Sequence, residues 1–202
     1  GVSHLTTTYL EVTVALNRWM RNVIDEESRR QLKWTSITIN DNFQSARHRD
    51  RNNEGVSVLS AFGEYTGGAL MYWPEDKGAS VHKIAQFERQ DAAVIEPWHT
   101  AIMFSGQKAH EVEAYDGYRM SVIWYTYKDA WEMTPKVKKD LANAGFAPPT
   151  TKASCKWTLS EESVTMLNEG PMIQESVERS EVGIQRIPRT ANSEDLYKAV
   201  CC

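Results

Sequence analysis

The sequence predicts an α+β domain in which helices flank a β-sandwich or barrel. Between Tyr9 and Trp34 apolar residues recur mostly every three or four positions, which is typical of an amphipathic helix. From residue 35 to residue 128 short β-branched and aromatic runs alternate with glycine and proline, and beyond Lys128 a polar, helix-like pattern returns. Many short strands in succession favour a sandwich or barrel over alternating strand and helix units.

The length of the chain fits a single domain. It has 202 residues, and domains of roughly 100–200 residues commonly bury one core. We expect residues 1–34 to form a helical N-terminal support, residues 35–128 the β core, and residues 129–202 a helical and partly irregular C-terminal extension.

Charge and cysteine usage narrow the choice of partners. The net charge of −4 gives no overall attraction to phosphates, although a local basic patch stays open. No apolar run reaches the length of a membrane span, so we expect no membrane partner. The three cysteines offer neither a spaced disulfide framework nor a C-x-x-C pair, which predicts an intracellular protein without structural zinc. These cysteines are Cys155, Cys201 and Cys202.

The elements follow from the pattern in order. In the N-terminal helix the charged run from Asp25 to Arg30 marks either a solvated face or a break. Six runs rich in β-branched, aromatic and other apolar residues then predict strands. They are Ser36 to Ile39, Val56 to Leu59, Ala69 to Trp73, Ala92 to Ile95, Ala101 to Phe104 and Ser121 to Tyr127.

The C-terminal third predicts helices and then a tail. Pro135 can open a helix that runs through Ala144 and stops at Gly145. Ser160 begins another short helical candidate that ends near Gly170. The remainder has few apolar residues, so we expect a loosely attached segment.

His48-Arg49-Asp50 is the first candidate for chemistry. Side chains two apart on a strand share a face, so His48 and Asp50 can both bind one metal ion while Arg49 points away. His110, which follows the strand predicted at Ala101 to Phe104, is the expected third ligand, with His99 as its competitor. Two imidazoles and a carboxylate suit iron(II) and leave half of an octahedral shell open. The alternative for the motif alone is a solvated surface turn.

Arg119 and Ser121 are the second candidate. By the period of two they share a face of the last predicted strand with Ile123, Tyr125 and Tyr127. A buried arginine needs a partner, and a carboxylate fits its planar fork in a bidentate manner. The alternative is that Arg119 pairs with an acidic residue at the strand end. The candidates for that role are Glu111, Glu113 and Asp116.

These residues together resemble the 2-oxoglutarate- and iron(II)-dependent dioxygenases. The resemblance implies a double-stranded β-helix (jelly-roll) core with N- and C-terminal helices packed outside it. It also implies iron bound by His48, Asp50 and His110. Arg119 and Ser121 would anchor the far carboxylate of 2-oxoglutarate, with Tyr125 beside them, and O2 would be the second co-substrate.

Residues 48–57 and 119–128 are similar to the corresponding stretches of the TET/JBP oxygenases, which oxidise the methyl group of 5-methylcytosine or thymine in nucleic acid. This narrower resemblance implies that Asn53, three residues after Asp50, contacts the target base, with Arg51 and Tyr127 as further substrate contacts. An asparagine amide can both donate to and accept from one base edge. A substrate in genomic DNA would imply a nuclear protein.

Other assignments follow from parts of the same pattern. Arg47 and Arg49 can meet flanking phosphates or belong to a solvated run. The glycine pair Gly67-Gly68 is also similar to prolyl-hydroxylase-like oxygenases, although those usually have lysine where this chain has Arg119. Two alternatives therefore stand beside base oxidation: an oxygenase acting on a protein side chain or a small metabolite, and a catalytically silent jelly-roll binding module.

Overall fold

The computed structural model describes residues 2–159, which form four α-helices and nine β-strands. The helices are α1 (His4–Thr8), α2 (Leu10–Val23), α3 (Glu26–Gln31) and α4 (Pro135–Asn143). The strands are β1 (Ser36–Asp41), β2 (Asn53–Phe62), β3 (Tyr65–Gly67), β4 (Leu70–Tyr72), β5 (Ala93–Ile95), β6 (Ile102–Phe104), β7 (His110–Val112), β8 (Tyr115–Gly117) and β9 (Met120–Tyr127). The helix expected to begin at Ser160 and the tail after it lie outside the described residues.

The strands pair antiparallel throughout the described range. The main sheet has the order β1-β9-β2-β6, and a second sheet has the order β5-β4-β7. Strands β3 and β8 form a separate two-stranded ribbon. The predicted α+β class is confirmed, with antiparallel sheets and few helices. No helix among residues 2–159 is long and apolar enough to cross a lipid bilayer.

The outer face of the main sheet packs against helices from both ends of the described chain. Trp19 of α2 stacks on Trp124 of β9, with ring centroids 5.9 Å apart. Leu141 of α4 belongs to the same buried cluster, together with Val58 and Val122 of the sheet. Burial of these apolar surfaces fixes the helices on one face of the main sheet and leaves the opposite face to pack against another element.

The inner face of the main sheet packs against the second sheet. Leu59 of β2 and Phe104 of β6 lie in one buried cluster with Leu70 and Tyr72 of β4. Ile123 of β9 packs against this cluster. Side chains alternate along a strand, so the odd-numbered positions of β9 face the space between the two sheets.

The N-terminal helical region is broken rather than continuous. Helix α2 ends at Val23, and the buried Ile24 is extended. Asp25 then caps α3, because its carboxylate accepts a hydrogen bond of 2.8 Å from the backbone N–H of Ser28. The alternative of a break at the charged run is therefore the correct one.

Asn17 is a buried amide that joins three segments. Its Nδ2 donates to the carbonyl of Ala144 at the end of α4, and its Oδ1 accepts from Nε1 of Trp34, both at 2.8 Å. Gly145 has φ +87°, and a Cβ there would lie 3.0 Å from the Asn17 Cβ. The glycine that ends the predicted C-terminal helix thus also leaves room for this amide.

We expect Asn17→Ala to lower the free energy of unfolding by about 3 kcal/mol, because it leaves a buried indole N–H and a buried carbonyl without partners. Asn22→Ala is the matched control, since Asn22 is exposed on the same helix. Urea titration followed by tryptophan fluorescence measures both. Equal stability of the two variants would contradict this role of Asn17.

Candidate metal centre

A pair of backbone hydrogen bonds brings the two histidine segments together. The N–H of His48 donates to the carbonyl of His110 at 2.9 Å, and the N–H of His110 donates to the carbonyl of His48 at 3.0 Å. The imidazole centroids lie 4.3 Å apart. The expectation that His48 and Asp50 lie on a regular strand is wrong, because only His48 forms a bridge there and the flanking residues are irregular. Their side chains nevertheless meet.

Both imidazoles are oriented in the same way. Nδ1 of His48 lies 2.8 Å from the carbonyl of Ala46, and Nδ1 of His110 lies 2.8 Å from the carbonyl of Lys108. A carbonyl only accepts, so each Nδ1 carries a proton, and in the neutral form of each ring Nε2 presents its lone pair. Such contacts commonly fix the tautomer of a metal-binding histidine.

Asp50 lies between the two imidazoles. Its Oδ1 is 3.4 Å from Nε2 of His48, and its Oδ2 is 3.8 Å from Nε2 of His110. The ligand atoms of the three residues all lie within 4.8 Å of one another. Two nitrogen lone pairs and one carboxylate therefore converge on one point, and this set could hold a metal ion.

The two histidines have different electrostatic surroundings. The pKa of His48 is raised by its hydrogen bond to Asp50, against the opposing effect of burial. The pKa of His110 is lowered by burial, which outweighs the carbonyl of Lys108. Asp50 thus attracts positive charge to the centre, while His110 is kept as a neutral ligand.

His99, the competitor for third ligand, does not join this group. It is exposed, has φ +53°, and packs its ring against Phe62 at 5.5 Å and Trp98 at 4.6 Å. The structure therefore brings His110, and not His99, to His48 and Asp50.

Arg119 is buried with unused hydrogen-bond donors. The residue is 1% exposed. Its Nε and Nη2 atoms have no hydrogen-bond partner among residues 2–159. The guanidinium carbon lies 5.5 Å from the ring centre of Tyr65 and 5.6 Å from that of Tyr115. A Cβ on Gly68 would lie 3.0 Å from both Cδ and Nε of this side chain, so the glycine makes room for it. Nε and Nη2 form the edge of the fork that pairs with a carboxylate.

Tyr65 and Glu96 are the phenolic and acidic groups that lie near Arg119. Burial, followed by the Glu96 carboxylate, raises the pKa of Tyr65 to about 12, with Arg119 acting in the opposite direction. Burial also raises the pKa of Glu96. Glu111, one of the acidic residues proposed as a partner of Arg119, is 7% exposed and pairs instead with Arg47 and Arg89.

Ser121 lies in β9, two residues after Arg119, which immediately precedes the strand. It is 3% exposed, and its hydroxyl lies 3.4 Å from Nδ2 of Asn40, which can donate to it. The serine keeps its own O–H as a donor, so a second polar group is available beside Arg119.

A pocket of about 340 Å³ opens beside Asp50. Its lining combines arginine, amide and tyrosine side chains: Arg49, Asp50, Arg51, Asn52, Asn53, Tyr125 and Tyr127. The structure thus places Arg51, Asn53, Tyr125 and Tyr127, which the sequence assigned to substrate and cofactor, around one opening. Tyr127 is 48% exposed at this opening.

Asn53 has a contact that the sequence did not predict. It is buried, and its Nδ2 donates to Oδ2 of Asp50 at 2.9 Å. A Cβ on Gly106 would lie 2.6 Å from the same carboxylate oxygen, so Gly106 allows the carboxylate to pack against its backbone. Asn53 therefore orients a candidate metal ligand, whatever else its amide binds.

Arg47 and Arg49 are not available to phosphates, because both are engaged by buried carboxylates. Arg47 donates to Glu111 at 3.1 Å, and Arg49 donates to Asp76 at 2.5 and 2.8 Å. Asp76 was missed by the sequence reasoning, since one aspartate in a polar loop carries no motif. Arg51 is the exposed arginine of this run.

No family model matches this chain, and no curated protein is detectably similar to it. The class of the site is therefore defined by its own geometry: a His, Asp, His group that could hold a metal ion.

We expect His48→Ala, Asp50→Ala and His110→Ala each to weaken binding of Mn(II) by at least about 100-fold, because each removes one of three converging ligands. His99→Ala should bind as the unchanged protein does. Calorimetric titration of the full chain with Mn(II) compares the four variants. Loss of Mn(II) binding in His99→Ala, with binding retained in His110→Ala, would contradict the assignment of His110 as the third ligand.

Proposed function

We propose that this protein is a 2-oxoglutarate- and iron(II)-dependent dioxygenase with a jelly-roll core, acting on the methyl group of a nucleic-acid base. The observation that carries the proposal is the buried Arg119, whose Nε and Nη2 have no hydrogen-bond partner among residues 2–159, in a chain that also gathers two histidines and an aspartate. A carboxylate co-substrate would satisfy this guanidinium, and the three other side chains would hold the iron.

The arrangement of strands supports a jelly roll. Strands β2, β6 and β9 lie in the main sheet, whereas β4, β5 and β7 lie in the second sheet, so the chain passes repeatedly between the two. The residue His48 also pairs with the edge of β7, which adds a fourth segment to the second sheet. Two four-membered antiparallel layers packed face to face are the jelly-roll plan.

The donor set fits iron(II). His48 and His110 offer Nε2 atoms, Asp50 offers a carboxylate, and together they leave half of an octahedral shell for 2-oxoglutarate and oxygen. When bound, iron supplies the redox chemistry, in which 2-oxoglutarate and O2 become succinate and CO2 and the second oxygen atom enters a C–H bond of the substrate. The protein orients the reactants and excludes water.

Arg119 and Ser121 determine which co-substrate fits. Nε and Nη2 would act as two parallel donors and the Ser121 hydroxyl as a third, so a carboxylate would be held by charge-assisted bonds. Burial excludes competing water and strengthens the ion pair. A dicarboxylate such as 2-oxoglutarate would engage this anchor with one end and the metal with the other.

The pocket beside Asp50 supports a base as substrate. An exposed Tyr127 ring can stack on a flipped base, and Arg51 can meet an adjacent phosphate. The side-chain amide of Asn53 donates one hydrogen to Asp50. Its second N–H and its Oδ1 are left for the polar edge of the base. The same side chain would thus connect substrate recognition to a metal ligand.

We expect Arg119→Met to weaken 2-oxoglutarate binding by about 100-fold while Mn(II) affinity is unchanged, because a buried carboxylate would lose its charged partner. Arg18→Met is the control, since Arg18 is exposed on α2. Calorimetric titration of the Mn(II)-loaded protein with 2-oxoglutarate gives both values. Tight binding by Arg119→Met would remove this anchor from the proposal.

The substrate class is tested by activity of the iron-loaded protein. We expect succinate formation to be coupled to a gain of one oxygen atom on oligonucleotides that contain 5-methylcytosine or thymine, measured by mass spectrometry. A peptide panel and a metabolite panel are run in parallel. Product on either of those alone would replace the base with a protein side chain or a metabolite, and absence of any succinate would sink the oxygenase assignment.

A further inference from the structure

The two segments that carry the candidate metal ligands are also joined on the side away from the ligands. The side chains next to the ligands in sequence, Arg47 and Arg49, each reach a buried carboxylate. We propose that those carboxylates, Asp76 and Glu111, are positioning residues that hold the His48-Arg49-Asp50 segment against His110. The inference rests on the proposed metal site.

Asp76 contacts both segments with one carboxylate. Its Oδ2 accepts from Nε of Arg49 at 2.5 Å and from the backbone N–H of Ala109 at 2.7 Å. Arg49 lies between two ligands, and Ala109 immediately precedes the third. One oxygen atom therefore connects the Arg49 side chain with the backbone that precedes His110.

The second oxygen of Asp76 completes the contact. Oδ1 accepts from Nη2 of Arg49 at 2.8 Å and from the N–H of Gly78 at 2.8 Å. The carboxylate side chain is fully buried, and Nη2 of Arg49 also donates to the carbonyl of His82. A buried bidentate ion pair with its remaining lone pairs satisfied has little freedom to move.

Glu111 makes the matching contact on the other side. It follows His110, and its Oε2 accepts from Nε of Arg47, which precedes His48, at 3.1 Å. Its Oε1 accepts from Arg89 at 2.7 Å. The guanidinium of Arg47 lies 4.1 Å from the ring centre of Trp73 and also donates to the carbonyl of Phe87. The His48–His110 backbone bridge is thus flanked by an ion pair on each side.

The positions of Asp76 and Glu111 should affect metal affinity as well as the stability of the fold. Metal affinity depends on the separation of ligands on the two segments, and residues that orient ligands commonly change affinity by about 10- to 100-fold when removed. The two arginines alternate with the two ligands along residues 47–50, so a shift of one moves the other.

The test uses the full chain and Mn(II) as probe. Asp76→Asn keeps the shape of the side chain but loses the charge, and Glu111→Gln does the same on the other side. We expect each to weaken Mn(II) binding by about 10- to 100-fold in calorimetric titration. Asp76→Glu is expected to recover part of the affinity. Asn17→Ala, which loosens the fold elsewhere, should bind Mn(II) with unchanged affinity at a temperature where it stays folded.

Arg49→Lys keeps the test decisive if Asp76→Asn does not fold. A lysine retains the charge without the fork, so we expect a drop in affinity with a smaller loss of thermal stability than in Asp76→Asn. Unchanged Mn(II) affinity in folded variants at position 76 or 49 and at position 111 would overturn the inference. Failure of the unchanged protein to bind Mn(II) would instead overturn the metal site itself.

Discussion

The pairing of His48 with His110 is the constraint on which the site depends. Two backbone hydrogen bonds join segments that are distant in the chain, and they place two imidazoles 4.3 Å apart. Each ring is then oriented by a backbone carbonyl two residues earlier. Because these bonds use main-chain atoms, the geometry of the centre is set by how the segments pair and not by flexible side chains alone.

Alternation of side chains turns this pairing into a site with two faces. One face carries the candidate ligands His48 and His110. The other face carries Arg47 and Arg49 with their carboxylate partners. These two arginines are thus paired, whereas Nε and Nη2 of the buried Arg119 have no hydrogen-bond partner among residues 2–159. Buried donors without hydrogen-bond partners are costly.

Much of the strand pattern was predictable from local sequence. The runs that became β1, β2, β4, β5, β6 and β9 are rich in β-branched, aromatic and other apolar residues, and the helix after Pro135 has clear start and stop signals. Strands β3 and β8 were not predicted, because they are three residues long and each ends at a glycine with positive φ. Their pairing with each other, and not their composition, makes them strands.

The site was predictable only in part, because several of its contacts join segments that are distant in the sequence. The spacing of His48, Asp50 and His110 indicated three residues that the structure does bring together. The bond from Asn53 to Asp50 and the role of Asp76 depend on contacts between distant segments, which no local pattern records. The strand expected at His48 is not formed, because the charged run there is irregular and pairs through a single residue.

Anomalous X-ray diffraction from crystals grown with Mn(II) and 2-oxoglutarate tests the metal centre and the carboxylate anchor together. We expect one manganese peak within bonding distance of the Nε2 atoms of His48 and His110 and of the Asp50 carboxylate. Density for a carboxylate should also lie on Nε and Nη2 of Arg119. A peak at another position, or an ordered site without metal at saturating Mn(II), would contradict it.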